Sequence, residues 1–478
     1  MSIKNNYQYN IIQSMANVVF PLITFPYAAR VISPEGIGQV QFIFAFAQFF
    51  AFLAGFGIPI YGVKVISEYR EDPLKLSKVT TELLILGSIS SLAFTLGYCF
   101  SSQFLPQFIS YKLEFIMSAL LVLLSVLNVD WFFSGLEEFR FIAIRSILIK
   151  IIGVVMLFLL VKTAEDAFYY LVFMLFISLG NYLYNFIFLL KKVRLNFKEL
   201  LLKRHLKPLF FIFIMALSTM LYTTLDTVIL GLMSTPDEVG FYTAAVKITK
   251  VSLPILTGMG IVIVPKAVLY IRDKNEKQLN ELYVKSFSFI ALLSVPMSFG
   301  IYVLNEEIVY LFSGEAFSGA KESIKYLCFL PIMIGIGHFV AFQILLPLNK
   351  NKAMFYGTFL GMLFFIIMSF LFIPTFGSEG AAMANLFAEI IVTLVYLFFV
   401  PKPIIKSLPW KKLLHAVLCS LTFFPIIYFL KFKLFLNEVF LLPIGLVLCS
   451  STYFVIQHIF FKEKLVREIG ETIINKFK

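Results

Sequence analysis

The chain has 478 residues, 60% of them hydrophobic and 14% charged, with a mean hydropathy of +0.90. Soluble domains hold about 25% charged residues, so this composition excludes a protein that covers its own surface in water. The formal net charge of +12 does not mark a nucleic-acid partner, because the basic residues lie mostly in short loops between apolar runs, not in one patch.

The apolar runs are continuous and about 20–25 residues long, the length of a membrane-crossing helix and not of a barrel strand. The chain therefore reads as an all-α polytopic membrane protein. Fourteen transmembrane helices are expected, at 8–30, 37–60, 80–103, 112–135, 142–162, 167–190, 208–233, 239–264, 283–304, 325–347, 353–374, 380–400, 411–430 and 440–461. The first run carries Asn10, Gln13, Ser14 and Asn17 and continues too far for a cleaved signal. The connections leave no room for a soluble domain. The four cysteines, Cys99, Cys328, Cys419 and Cys449, lie far apart in apolar runs, so neither a metal site nor a disulfide framework is expected.

Lys and Arg set the orientation. With the N-terminus inside, the inside loops include 64–78, 191–207, 266–285, 402–412 and the tail from Lys462. Together with the shorter inside segments they hold about 30 of the 40 basic residues. Three outside loops, 32–38, 234–240 and 376–380, hold none. Both termini are expected in the cytoplasm.

A repeat is visible in two of those outside turns. SPEGIGQVQF (33–42) follows the first span and STPDEVGFYT (234–243) follows the seventh; aligning Pro34 with Pro236 also aligns Glu35 with Asp237 and Gly38 with Gly240. Proline fixes such a turn, the acid suits the positive end of the next helix, and glycine permits close approach. An even number of spans separates the copies, so both have the same orientation. Spans 1–6 and 7–12 read as two parallel six-helix repeats, the arrangement with which transporters build a cavity that opens to either side. The expected organisation is an N-terminal lobe over 1–190, a basic cytoplasmic linker over 191–207, a C-terminal lobe over 208–400, and two extra helices with a tail over 401–478.

Three stretches carry a family resemblance: PYAARVISPEGIGQVQF (26–42), VDWFFSGLEEFRFIAIRS (129–146) and LDTVILGLMSTPDEVGFYTAAVKI (225–248). With these and the six-six-two layout, the chain resembles the polysaccharide flippase branch of the multidrug/oligosaccharidyl-lipid/polysaccharide exporter superfamily. It looks most like the bacterial O-antigen flippases, often called Wzx. The resemblance implies translocation of an undecaprenyl-diphosphate-linked oligosaccharide from the cytoplasmic to the periplasmic leaflet of the inner membrane. It also implies membrane lipids and other polysaccharide-assembly membrane proteins as partners.

Charges inside the expected spans are the candidate site, because each is costly there. Asp226 lies roughly 10 Å from the outside end of span 7 and Lys247 and Lys250 roughly 12–17 Å below the start of span 8, at about 1.5 Å per residue. Lys247 and Lys250 share a helix face and are expected to meet a substrate diphosphate or sugar acid in a cationic cavity. Lys150 on span 5 and Arg30 at the end of span 1 are further candidates. Asp226 and Glu389 read either as structural ion-pair or packing partners, Asp226 with Lys247, or as ion-coupling groups. Asn181 and Asn185 share a face of span 6 and suit either sugar hydroxyls or helix–helix glue. His338 reads as a packed, hydrogen-bonded core residue. Asp130, Glu137 and Glu138 are expected to pair with Arg140 or Arg145.

No catalytic motif, nucleotide-binding segment or metal site appears, so no enzyme activity and no cofactor are expected. Any energy input then comes from a proton or sodium gradient or from the substrate's own gradient. Two alternatives stay open: a drug/cation antiporter of the same superfamily, whose inner positions should be acidic, and a polytopic polysaccharide polymerase, which should carry a long outside loop.

Overall fold

A computed structural model describes residues 3–434, 437–463 and 466–467. Among the described residues the secondary structure is helical, with no β-strand. Eleven helices are long and apolar enough to cross a membrane. The chain falls into two compact units, Met1–Gly240 and Phe241–Lys478.

The first unit holds α1 (Ile3–Val31), α2 (Pro34–Gly55), α3 (Ile58–Tyr69), α4 (Pro73–Ser102), α5 (Pro106–Ser110), α6 (Lys112–Leu123), α7 (Asp130–Gly135), α8 (Phe139–Leu160), α9 (Ala167–Lys192) and α10 (Lys203–Met233). Ser33 caps α2 by accepting a hydrogen bond from the Gly36 N–H, with Pro34 opening the helix and Glu35 in its first turn. Asp72 caps α4 in the same way through the Lys75 N–H, which holds its carboxyl below the usual range. The next helix, α11 (Pro236–Lys250), begins in this unit and runs into the second.

Two apolar runs of the first unit are broken within their length. The candidate span Pro34–Tyr69 is interrupted between α2 and α3, where Phe56 and Gly57 both adopt left-handed conformations (φ 43 and 79). A Cβ on Gly57 would lie 2.9 Å from the carbonyl oxygen of Leu209, so α10 passes directly over that break. The candidate span Lys112–Gly135 is interrupted between α6 and α7 by a 3-10 turn at Leu124–Leu127. Hydropathy alone reads through both breaks, since neither introduces a charge.

Helix α10 packs on α2 and α3 and is part of the first unit. A Cβ on Gly231 of α10 would fall 2.1 Å from the Phe42 ring of α2, and the Gln107 side chain donates to the Gly231 carbonyl at 3.1 Å.

In the second unit the long helix Glu276–Val303 is covered by the C-terminal pair Trp410–Phe432 and Glu438–Ile459. The Trp410 ring stands on Phe287 at 4.9 Å, and the Tyr453 hydroxyl donates to the Leu292 carbonyl at 2.9 Å. The expected spans at 353–374 and 380–400 form a single assigned helix, Asn351–Phe399, broken at Gly377 (φ 53, ψ −125). The expected span at 239–264 is likewise interrupted, after Lys250.

Candidate transport site

The intramembrane charges fall in both units. In the first, Lys150 of α8 is half-buried, hydrogen-bonded to the Asn17 side chain of α1 and 5.7 Å above the Phe20 ring. Its charge is thus met by an amide and an aromatic face. Arg30, in the last turn of α1, is exposed. Asp226 of α10 is 3% exposed, and its Oδ1 accepts the Thr227 N–H at 2.7 Å.

Asn185 is buried and joins an ion pair. Its amide donates to Asp130 Oδ1 at 2.8 Å, and the same oxygen accepts from Arg145 at 2.9 Å. Its neighbour Asn181 donates to the Ile177 carbonyl within its own helix at 2.6 Å. The two asparagines therefore serve different partners. Of the basic residues expected for the 130–138 acids, Arg145 takes Asp130 alone. Glu137 pairs with Arg70 at 2.9 Å and Glu138 with Lys192, because the turn before α8 faces the ends of α3 and α9.

In the second unit Lys247 and Lys250 occupy the last turn of α11 and are half-buried. A helix C-terminus favours cations, so this placement lowers the cost of both charges. Among the described residues Lys250 forms no hydrogen bond or salt bridge. Glu389 is buried one turn beyond Asn385, whose amide donates to the Tyr242 hydroxyl of α11 at 3.0 Å. His338 stacks on Phe342 at 4.5 Å; the hydrogen bond expected of it does not form among the described residues.

Two features escaped the sequence reading. The first is a polar cluster on Glu82 of α4. Its side chain is fully buried and accepts from the Leu201 N–H at 2.7 Å and from Arg204 at 2.6 Å, and it meets His205 Nε2 at 2.8 Å. His205 Nδ1 in turn meets the Tyr61 hydroxyl at 2.9 Å, and Thr81 accepts the Asn196 N–H at 2.8 Å. The basic 191–207 segment is therefore pinned along α4.

The second feature is a cavity of about 320 Å³ at the two helix breaks of the first unit. Its walls come from 54–55 and 57–60, from Ser125, Val126, Asn128 and Trp131, and from α2, α4, α9 and α10. Irregular backbone at membrane depth is tolerated where it is buried in protein or lines a wet cavity.

Comparison with known proteins agrees with this architecture. The profile described as "Polysaccharide biosynthesis protein" matches residues 3–269, and the MatE profile matches 212–371. A protein of Shigella dysenteriae named "Putative O-antigen transporter" is 23% identical over 392 residues, covering 80% of this chain and 96% of its own. One of the same name from Escherichia coli (strain K12) is 24% identical over 415 residues, covering 84% and 97%. The solved structure of the lipid II flippase MurJ superposes with a TM-score of 0.75 at 18% identity, covering 96% of this chain and all of that one; at that identity the likeness shows the fold. Since the matched profile spans more than half of the 478 residues, the chain belongs to the polysaccharide biosynthesis protein family.

Proposed function

We propose that this protein is a flippase that moves an undecaprenyl-diphosphate-linked oligosaccharide, such as an O-antigen repeat unit, from the cytoplasmic to the periplasmic leaflet of the bacterial inner membrane by alternating access. The observation that carries the reading is Lys250: a half-buried cation in a membrane-depth helix, at a break in the helix, in a chain of the polysaccharide biosynthesis family. A diphosphate crossing a medium of low dielectric needs such a partner. Lys247, one turn earlier, adds to it. Accordingly, Lys247→Ala and Lys250→Ala should each cut surface polysaccharide several-fold while the protein still inserts, with Lys→Arg tolerated better; quantifying export and membrane-inserted protein together checks this. Wild-type export by both alanine variants would remove the diphosphate role.

The antiporter reading draws on the MatE match over 212–371 and on two buried acids, Asp226 and Glu389. It requires that neutralising those acids, and not the lysines, abolish transport.

The topology belongs to the same proposal. Eleven candidate helices, one of them broken at Gly377, together with α1 and α10 at 29 and 31 residues, add up to fourteen spans; an even number puts both termini on one side, and the Lys and Arg bias of the loops favours the cytoplasm for that side. A reporter active only in the periplasm should be active when fused after Pro236 and silent after Lys198. The opposite pattern would invert the orientation.

A further inference from the structure

We propose that the cavity at the two helix breaks of the first unit is a subsite for an uncharged sugar residue of the transported oligosaccharide. This rests on the flippase reading and names the part of the substrate that the first unit receives.

The lining chooses between three ends of a lipid-linked sugar. A diphosphate needs cations or a set of aimed N–H donors. None of the described lining residues is charged. A prenyl or acyl tail needs walls without unmet polar groups, because a polar group packed against hydrocarbon with no partner costs about 2 kcal/mol or more. Here four polar side chains line the space. Among the described residues the buried Ser125 hydroxyl has no hydrogen-bond partner. Among the described residues the side chains of Gln48, Asn128 and Tyr182 make no hydrogen bond either. Two amides and two hydroxyls offer both donors and acceptors, which is what sugar hydroxyls require.

The apolar part of the lining fits the same ligand. Phe52 and Trp131 contribute aromatic rings, and a pyranose presents a C–H face that packs on such a surface. The volume lies at the lower end of the range for small-molecule pockets, which suits one or two sugar residues. The helix breaks explain how the polar groups come to be there. Ser125 lies within the 3-10 turn between α6 and α7 and Asn128 closes it, so neither is confined to the face of a continuous helix. At the other break the lining is made of the small residues Ala54, Gly55 and Gly57 together with Ile58–Ile60. Discontinuous helices meeting at a polar pocket are a general device for substrate sites in transporters.

Trp131 makes the proposal measurable, because the chain has only one other tryptophan, Trp410. The full chain carrying Trp410→Phe, purified in detergent, is titrated with three probes: farnesyl diphosphate, the same lipid bearing N-acetylglucosamine, and the same lipid bearing glucuronic acid. The neutral-sugar probe should change Trp131 emission saturably. Farnesyl diphosphate should not, and the uronic acid should bind more weakly. Gln48→Leu and Asn128→Leu should each weaken the neutral-sugar probe up to about ten-fold, the effect of one lost hydrogen bond. Gln48 is exposed, so its variant should fold even if the one at the turn does not. The proposal is overturned if farnesyl diphosphate alone moves the emission equally, if the uronic acid binds as tightly, if the variants bind like the parent, or if no probe is seen at all. Failure of the flippase reading shows separately, as complete surface polysaccharide in cells that lack the chain.

Discussion

Gly38→Ala and Gly240→Ala should each remove most of the folded protein from the membrane. A Cβ on Gly38 would lie 1.7 Å from the Pro236 carbonyl oxygen and 2.8 Å from the Gly240 nitrogen. A Cβ on Gly240 would lie 2.2 Å from the Pro34 carbonyl oxygen. Each repeat turn thus presses its glycine onto the proline carbonyl of the other, and the obstructing atoms are backbone on both sides. No rotamer change relieves such a clash, so the turns must separate. Overpacking costs typically reach about 1–3 kcal/mol and exceed that when nothing can give. Gly300→Ala is the control: it has nothing within 4 Å and sits inside a helix, where alanine is favoured by about 1 kcal/mol. Thermal unfolding in detergent, with the yield of monodisperse protein, should separate the three. Near-normal stability in the Gly38 and Gly240 variants would refute the reciprocal contact.

The second large effect is expected at Glu82. Glu82→Ala leaves the Leu201 N–H, the Arg204 guanidinium and the His205 ring without their common acceptor. Removing one member of a buried pair costs about 3–5 kcal/mol. Arg204 is partly exposed and can turn to solvent, which places this case at the lower end. Glu82→Gln keeps an acceptor for Leu201 and should fall between. Tyr61→Phe, which deletes only the contact to His205 Nδ1, should cost about 1 kcal/mol. The measurement is again unfolding in detergent, supplemented by proteolysis of the 191–207 segment, which should become cleavable in Glu82→Ala and stay protected in Tyr61→Phe. Equal protease resistance in all three would mean that Glu82 does not hold the segment.

The contrast between these sites shows what a sequence reading can reach. The repeat turns were legible because their Pro, acid and Gly recur at fixed spacing, but the contact of Gly38 with the Pro236 turn is visible only in the fold. The helices were legible because apolar length decides membrane crossing. Glu82 was not, since it sits one turn into an apolar run and its partners are more than a hundred residues away at Leu201, Arg204 and His205. The breaks at Phe56–Gly57 and at Leu124–Leu127 were hidden for a different reason: residue hydropathy does not register backbone conformation, and Leu124–Leu127 contains neither glycine nor proline. Asn185 shows the ambiguity of polar residues in spans. Spacing placed it on a face with Asn181, but only the fold reveals that its amide is committed to Asp130. Lys150 is similar, since its partners Asn17 and Phe20 lie on the first helix of the chain.

The central claim is that this chain moves a lipid-linked oligosaccharide across a bilayer, and reconstitution tests it most directly. The purified full chain is inserted into vesicles containing an undecaprenyl-diphosphate oligosaccharide. A membrane-impermeant glycosidase is then added outside. With the protein present, the inner-leaflet pool should become cleavable over time, and Lys250→Ala should slow its appearance. If the inner pool stays as protected as in protein-free vesicles, while the reconstituted protein is folded, the flippase assignment is contradicted.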